Sequence, residues 1–115
     1  MEYSHEVIVC IVNAGYSELV MDTAREYGAG GGTVLFARGT APQEAERFFQ
    51  IAVQPEKEMV MILVPKELRD DILHGLYKQV GLNTGGQGIA FAMPVDSVVG
   101  LAPRATGGET ESADA

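Results

Sequence analysis

Glycines, rather than acids or nucleophiles, occupy the positions of this sequence where chemistry is most readily imagined. Two glycine-rich stretches stand out. One is Gly28-Ala29-Gly30-Gly31-Gly32-Thr33, followed by Val34-Leu35-Phe36-Ala37; the other is Gly81-Leu82-Asn83-Thr84-Gly85-Gly86-Gln87-Gly88, followed by Ile89-Ala90-Phe91-Ala92. Each comes after a helical pattern and leads into a strand pattern. A residue without Cβ lets the backbone approach a ligand closely, and successive exposed N–H groups form anion-binding concavities. The pair suggests a duplicated unit with a phosphate or nucleotide near its turns. Glycines in these places also serve as plain helix stops, and the spacing leaves both uses open. Arg38, directly before Gly39, is a candidate phosphate partner because a guanidinium engages two oxygens at once; its alternative is an ordinary exposed arginine.

Catalytic groups are sparse. His5 and His74 lie far apart in sequence and neither sits in a metal-ligand spacing. No Gly-x-Ser-x-Gly elbow occurs. Cys10, the only cysteine, lies within the apolar run of residues 7–12 and reads as a small buried side chain. Glu56-Lys57-Glu58 reads as a solvated strand end. The expectation is no catalytic residue, no metal site and no enzyme. The chain has 115 residues, a net charge of −8 and eight scattered Lys and Arg residues, which argues against a nucleic-acid partner. A hydrophobic content of 46% fits one domain with a real core. No secretory leader and no membrane-length apolar run is visible, so a cytoplasmic location is expected.

The elements that must carry the glycine turns follow from periodicity. Residues 7–12 form a β-branched run expected to be a strand buried on both faces. Ser17 is the expected N-cap of a helix over 17–27, with Val20, Ala24 and Tyr27 on one face. Strands are expected over 33–37, 59–64 and 89–93, with a short extended piece over 94–99. A second helix is expected over 66–80, with Leu68, Ile72, Leu76 and Val80 repeating every four residues. Between the second and third strands runs a polar excursion, in which Thr40-Ala41-Pro42-Gln43 has capping-box spacing for a short helix over 42–48. Phe48 and Phe49 there either tuck against the body or offer a docking point. From Gly100 the composition becomes that of a mobile tail. The order strand, helix, strand, strand, helix, strand is that of an α+β, ferredoxin-like βαββαβ sandwich. Its helices cover one sheet face, and the apolar strands need a cover on the other. The simplest cover is a second copy of the chain, so an oligomer is expected. Acylphosphatase chemistry also occurs on this fold, but Asn13-Ala14-Gly15-Tyr16 lacks the arginine it needs.

Over residues 7–101 the sequence resembles the PII signalling proteins, and more closely their PII-like relatives. The resemblance rests on Gly32-Thr33-Val34, the long loop from Gly39, Glu56-Lys57-Glu58 leading into Met59-Val60-Met61-Ile62-Leu63-Val64-Pro65, the stretch from Thr84 through Gly88 to Phe91, and Pro94-Val95. It implies a homotrimer of ferredoxin-like subunits spanning residues 1–101, with a flexible tail at 102–115. It also implies an adenine nucleotide (AMP, ADP, ATP or a cyclic form) or another small anion in clefts between subunits, with magnesium only if ATP binds. Loop 39–54 would be the T-loop, which regulates a protein target such as the cytoplasmic side of a membrane transporter or an enzyme. By position, Thr33, Leu63 and Val64 would meet the adenine. Arg38 and Gly39 would lie at the T-loop base, and Gly85, Gly86, Gln87 and Gly88 would form the phosphate-cradling B-loop, followed by Ile89 and Ala90. Thr40, Glu44, Arg47, Phe48 and Phe49 would serve partner docking.

The chain also departs from the nitrogen regulators. Ile89 stands where they carry a lysine, the B-loop is shorter and lacks an aspartate, and a lone Arg104 stands near the place of a phosphate-gripping arginine pair. Each absent ion-paired hydrogen bond forfeits about 1.5–3 kcal/mol, so less charged nucleotides are easier to hold than ATP. No tyrosine lies between Gly39 and Glu56, so tyrosine modification of the loop is not expected. Either Lys57 or Glu56 occupies the place of the lysine that binds 2-oxoglutarate. The alternative to a nucleotide-responsive module is a nucleotide-free trimeric binding or structural module of CutA-like type.

Overall fold

Strand alternation decides which side chains of this chain meet the helices. The computed structural model describes residues 2–40 and 56–101. In chain order these form β1 (His5–Asn13), α1 (Ser17–Glu26), β2 (Thr33–Arg38), β3 (Glu56–Pro65), α2 (Arg69–Gly75) and β4 (Gly88–Val95). The strands form one antiparallel sheet in the order β2-β3-β1-β4, the ferredoxin-like arrangement expected from the sequence. The expected helix over 42–48, the expected docking residues Glu44, Arg47, Phe48 and Phe49, and the expected tail over 102–115 lie outside the described residues.

Register fixes the two faces. Ile8 pairs with Ile62 and Ala92, and Cys10 with Val60 and Ala90. These residues face the helices, and Ile8, Cys10, Val12, Val60, Ile62 and Val64 are fully buried. They pack against Val20, Met21 and Ala24 of α1, and against Ile72, Leu76 and Val80 on and after α2. The opposite face carries Val7, Val9 and Ile11 beside Met59, Met61 and Leu63, with Leu35 and Phe91 at its edges. Both of those edge side chains are substantially exposed. β1 is therefore apolar on both sides, as its run of β-branched residues implies. Glu6 is the exception in the buried row. Its Oε2 accepts from Arg69 Nη1 at 2.8 Å and from the Tyr3 hydroxyl at 2.7 Å, which compensates a carboxylate that burial alone would penalise.

Several boundaries differ from the sequence expectation. Ser17 is the first helical residue and not the cap: Tyr16 holds the cap position without a side-chain bond. The Ser17 N–H is instead taken by Glu58 of β3 at 3.0 Å. The second helix is not uniform. A 3-10 turn at Lys66–Leu68 enters α2, and a π turn at Leu76–Val80 leaves it. β3 begins three residues earlier than expected, at Glu56, because it pairs with Arg38 of β2. Of the extended piece at 94–99, only Pro94 and Val95 continue a strand, completing β4. Both helix stops hold: Gly81 ends the second helical segment in the left-handed region at φ 86, and Gly28 follows the first at φ 106.

The helices are held close by a glycine. A Cβ at Gly75 would run into the Tyr27 ring, so α2 can approach the end of α1 only without a side chain there. Gly75→Ala should destabilise the fold by about 1–3 kcal/mol through overpacking. Gly30→Ala, which meets open space, should change it by less than about 0.5 kcal/mol. Urea denaturation of both variants checks this pair, and equal stabilities would contradict the packing argument.

Candidate functional site

Polar side chains gather at the end of the sheet where β2 stops at Arg38 and β3 starts at Glu56. β2 closes with Arg38 paired to Glu56 of β3. Lys57 pairs with Asn13 across β3 and β1, and Lys57 Nζ donates to Asn13 Oδ1 at 2.6 Å. Asn13 Nδ2 in turn donates to the Gly86 carbonyl at 3.3 Å. The Gly85–Gly88 turn is thus tied to the same end of the sheet as the loop root. Gly86 has φ +83, and no atom lies within 4 Å of where its Cβ would be. Its backbone needs glycine while the space above it stays open. Gln87 folds back, its Nε2 donating to the Val80 carbonyl at 3.3 Å.

Two clefts lie on opposite edges of the sheet. One, of about 300 Å³, is lined by Val7, Gly31, Gly32, Thr33, Met61 and Leu63. The other, of about 290 Å³, is lined by Leu73, Tyr77, Leu82, Gly88, Ile89 and Ala90. The structure brings Thr33 and Leu63 together, and separately Gly88, Ile89 and Ala90. It does not bring the two groups together. Thr33 pairs with Met61, Met61 with Val9, and Val9 with Phe91 of β4, so three strand spacings, about 14 Å, separate the two edges. Val64 is fully buried in the core, so its side chain is turned away from the Thr33–Leu63 cleft and only its backbone is available to a ligand. Arg38, Gly39 and Thr40 mark the loop root, where Arg38 and Thr40 are exposed and Gly39 is half-buried.

Sequence reasoning singled out neither Asn13 nor Glu58. An asparagine before Ala-Gly reads as a turn former, and a glutamate in Glu-Lys-Glu reads as solvated; no local signal reveals their distant partners. Glu58 Oε1 accepts from the Gly15 and Ser17 N–H groups at 3.1 and 3.0 Å. Partial burial pushes its carboxyl up, but the Ser17 side chain and these two backbone donors outweigh that and hold it below its ordinary value. Elsewhere, burial pushes the Cys10 thiol up to about 12, which leaves it unreactive in the core. His74 is exposed on α2. Among the described residues no three His, Cys, Asp or Glu side chains are grouped where they could hold a metal, and no helix is long and apolar enough to cross a membrane.

The antiparallel sheet with its two helices, long β2–β3 excursion and glycine turn before the last strand defines a ferredoxin-like protein of the PII type. The family model of the nitrogen regulatory protein P-II matches residues 5–104, and the chain belongs to that signalling family. No curated protein sequence matches it. Among solved structures it is similar to Arabidopsis thaliana PII bound to citrate, with a TM-score of 0.67, 19% identity, and coverage of 87% of this chain and 82% of that one. It is also similar to the B. subtilis GlnK-ATP complex, with a TM-score of 0.66, 16% identity, and coverage of 86% of this chain and 88% of that one. A third is the PII-like CPII of Thiomonas intermedia K12 bound to ADP, AMP and acetate, at 0.62 and 17%, covering 81% and 87%.

The Glu58 contacts give a pH dependence of known sign. A carboxyl held low in the folded state contributes stability that is fully present above its unfolded pKa and lost as pH falls through its folded one. The Tm of the parent should therefore fall more steeply than that of Glu58→Gln on acidification from about pH 5 to about pH 3. Parallel Tm profiles by circular dichroism would show that the charge of this cap contributes nothing.

Proposed function

We propose that this protein is a homotrimeric PII-like signalling module, binding an adenine nucleotide between subunits and regulating a protein partner through loop 39–54. The observation that carries this reading is the separation of the two clefts. Thr33 and Leu63 line one edge and Gly88, Ile89 and Ala90 the other, so a single chain cannot close a ligand between them. A neighbouring copy, packed against the open apolar face, can bring one chain's β2 edge to the glycine turn of the next. In that composite cleft the adenine would lie against Thr33, Leu63 and the backbone of Val64. The phosphates would meet the N–H groups of residues 85–88, with Ile89 and Ala90 alongside and Arg38 and Gly39 at the loop root.

The charge inventory favours a nucleotide with few phosphates. Arg38 is exposed at the loop root, and Lys57 is already bonded to Asn13 and flanked by Glu56 and Glu58. AMP, ADP or a cyclic nucleotide suits this site better than ATP, and magnesium would enter only with ATP. Structures of CPII hold ADP and AMP with acetate or bicarbonate, which supports a site of this charge and a small anion as co-ligand. The module acts without catalysis: the ligand shifts the loop between states by binding one of them better, and the loop engages a target such as a membrane transporter's cytoplasmic side. A second reading, a nucleotide-free CutA-like trimer, draws support from the engaged Lys57 and from Ile89.

Sizing followed by calorimetric titration with AMP, ADP, ATP and cyclic AMP, with and without magnesium, tests this. The expected result is a trimer that saturates at one ligand per subunit with micromolar affinity. A trimer silent to all four would favour the nucleotide-free module. Gly86→Val, which places a β-branched residue at positive φ, should weaken binding by more than about tenfold and leave the oligomer intact. Undiminished affinity would remove the glycine turn from the site.

A further inference from the structure

Three consecutive residues at the root of the loop are each tied to the β1–α1 turn, and each by a different kind of bond. The Glu56 carbonyl accepts from the Ala14 N–H at 3.1 Å. Lys57 Nζ donates to Asn13 Oδ1 at 2.6 Å. Glu58 Oε1 accepts from the N–H groups of Gly15 and Ser17. The same turn also reaches the other way, because Asn13 Nδ2 donates to the Gly86 carbonyl. One amide side chain is therefore bonded to the loop root on one side and to the centre of the glycine turn on the other.

The chemistry of the amide makes these two bonds interdependent. Its oxygen only accepts and its NH₂ only donates. Turned over, it would set NH₂ against the Lys57 ammonium and oxygen against the Gly86 carbonyl, two repulsive contacts. The observed orientation is thus held while both partners stay in place. The partners are not equally firm. The bond to Lys57 is short and charge-assisted. The bond to Gly86 is 3.3 Å, just beyond the usual N–H···O range, and no neighbouring group fills the space where a Gly86 Cβ would lie.

We propose that Asn13 is a positioning residue that couples the Gly85–Gly88 turn to Lys57 and the loop root. An anion engaging the N–H groups of the turn reorients the Gly86 peptide and takes away the acceptor of Asn13 Nδ2. Lys57 alone then fixes the amide, and the charge of the anion draws the ammonium, on its flexible stem, from Asn13 Oδ1 toward itself. The identity of that anion rests on the nucleotide reading above; the coupling itself does not.

The experiment has two arms, because spatial intermediacy alone does not establish coupling. The first needs no ligand. Amide hydrogen exchange of Ala14, Gly15 and Ser17 is measured by NMR in the parent, Gly86→Ala, Asn13→Ala and the double variant. The expected result is a change of about threefold or more on Gly86→Ala in the parent background and none in the Asn13→Ala background. An equal change in both backgrounds, or no change in the parent, would overturn the relay. Asn13→Asp, which keeps an acceptor for Lys57 but loses the donor to Gly86, should uncouple in the same way and covers the case in which Asn13→Ala fails to fold. The second arm uses ADP as the probe. ADP, at a concentration that saturates each protein, should shift the same exchange rates in the parent but not in Asn13→Ala. Retention of the shift in a variant that binds ADP would also overturn the relay. A parent that does not bind ADP would count against the nucleotide reading, and the first arm would still decide the coupling.

Discussion

Two helices cannot cover both faces of a four-stranded sheet, and most of this structure follows from that shortfall. α1 and α2 lie on one face and bury Ile8, Cys10, Val12, Val60, Ile62 and Val64 completely. The other face carries Val, Ile, Met, Leu and Phe in register and has no cover among the described residues. Burying it is worth roughly 25 cal/mol per Å² of apolar surface removed from water, a strong incentive for association. The β2 and β4 edges have no further strand partner among the described residues, and each edge carries half of the candidate site. Association and ligand binding are, on the proposed reading, two consequences of one packing deficit.

The loop-root end of the sheet solves a different problem. The chain leaves the sheet after Arg38 of β2 and re-enters it at Glu56 of β3, so the two strand ends there need anchors of their own. Ordinary strand pairing holds Arg38 to Glu56, and the β1–α1 turn then fastens Glu56, Lys57 and Glu58 in succession. Glu58 also satisfies a backbone donor at the start of α1 that Tyr16 leaves uncapped. A helix start, a strand start and a loop root thereby share one set of bonds. These bonds join the three without passing through the apolar core.

Much of the architecture was legible in the sequence because it depends on local rules. Gly28 and Gly81 stop helices through backbone conformations that other residues rarely adopt. Leu68, Ile72, Leu76 and Val80 mark a core-facing stripe by their spacing, and that stripe survives the change from 3-10 to α to π geometry along it. What local rules could not show was set by distant partners. Ser17 has the chemistry of a cap, yet the capping oxygen comes from Glu58, forty-one residues away. Glu56-Lys57-Glu58 has the composition of a solvated end, yet β2 and the β1–α1 turn draw it into the sheet. The glycine turns of the candidate site were visible as turns. That they sit on opposite edges follows only from the strand order, which places Thr33 and Phe91 at the two ends of one row.

The scarcity of cations bears on how a ligand would be recognised. A site that gripped phosphates by charge would gather Lys and Arg around the glycine turn. Here Ile89 follows Gly88, Arg38 sits exposed at the loop root, and Lys57 is held by Asn13. Recognition would therefore rest on backbone N–H groups, which match shape and hydrogen-bond direction more than total charge, and on the apolar wall around Thr33. On the proposed reading such a site would hold a nucleotide with few phosphates more readily than ATP, and would select further by the fit of the base. A lysine bound to a neutral amide is available to an anion in a way that one paired with a carboxylate is not, because leaving Asn13 gives up less than leaving Glu56 or Glu58 would. On the proposed reading the chain keeps Lys57 in reserve near the turn, and a neutral residue, rather than a competing charge, sets the threshold for its release.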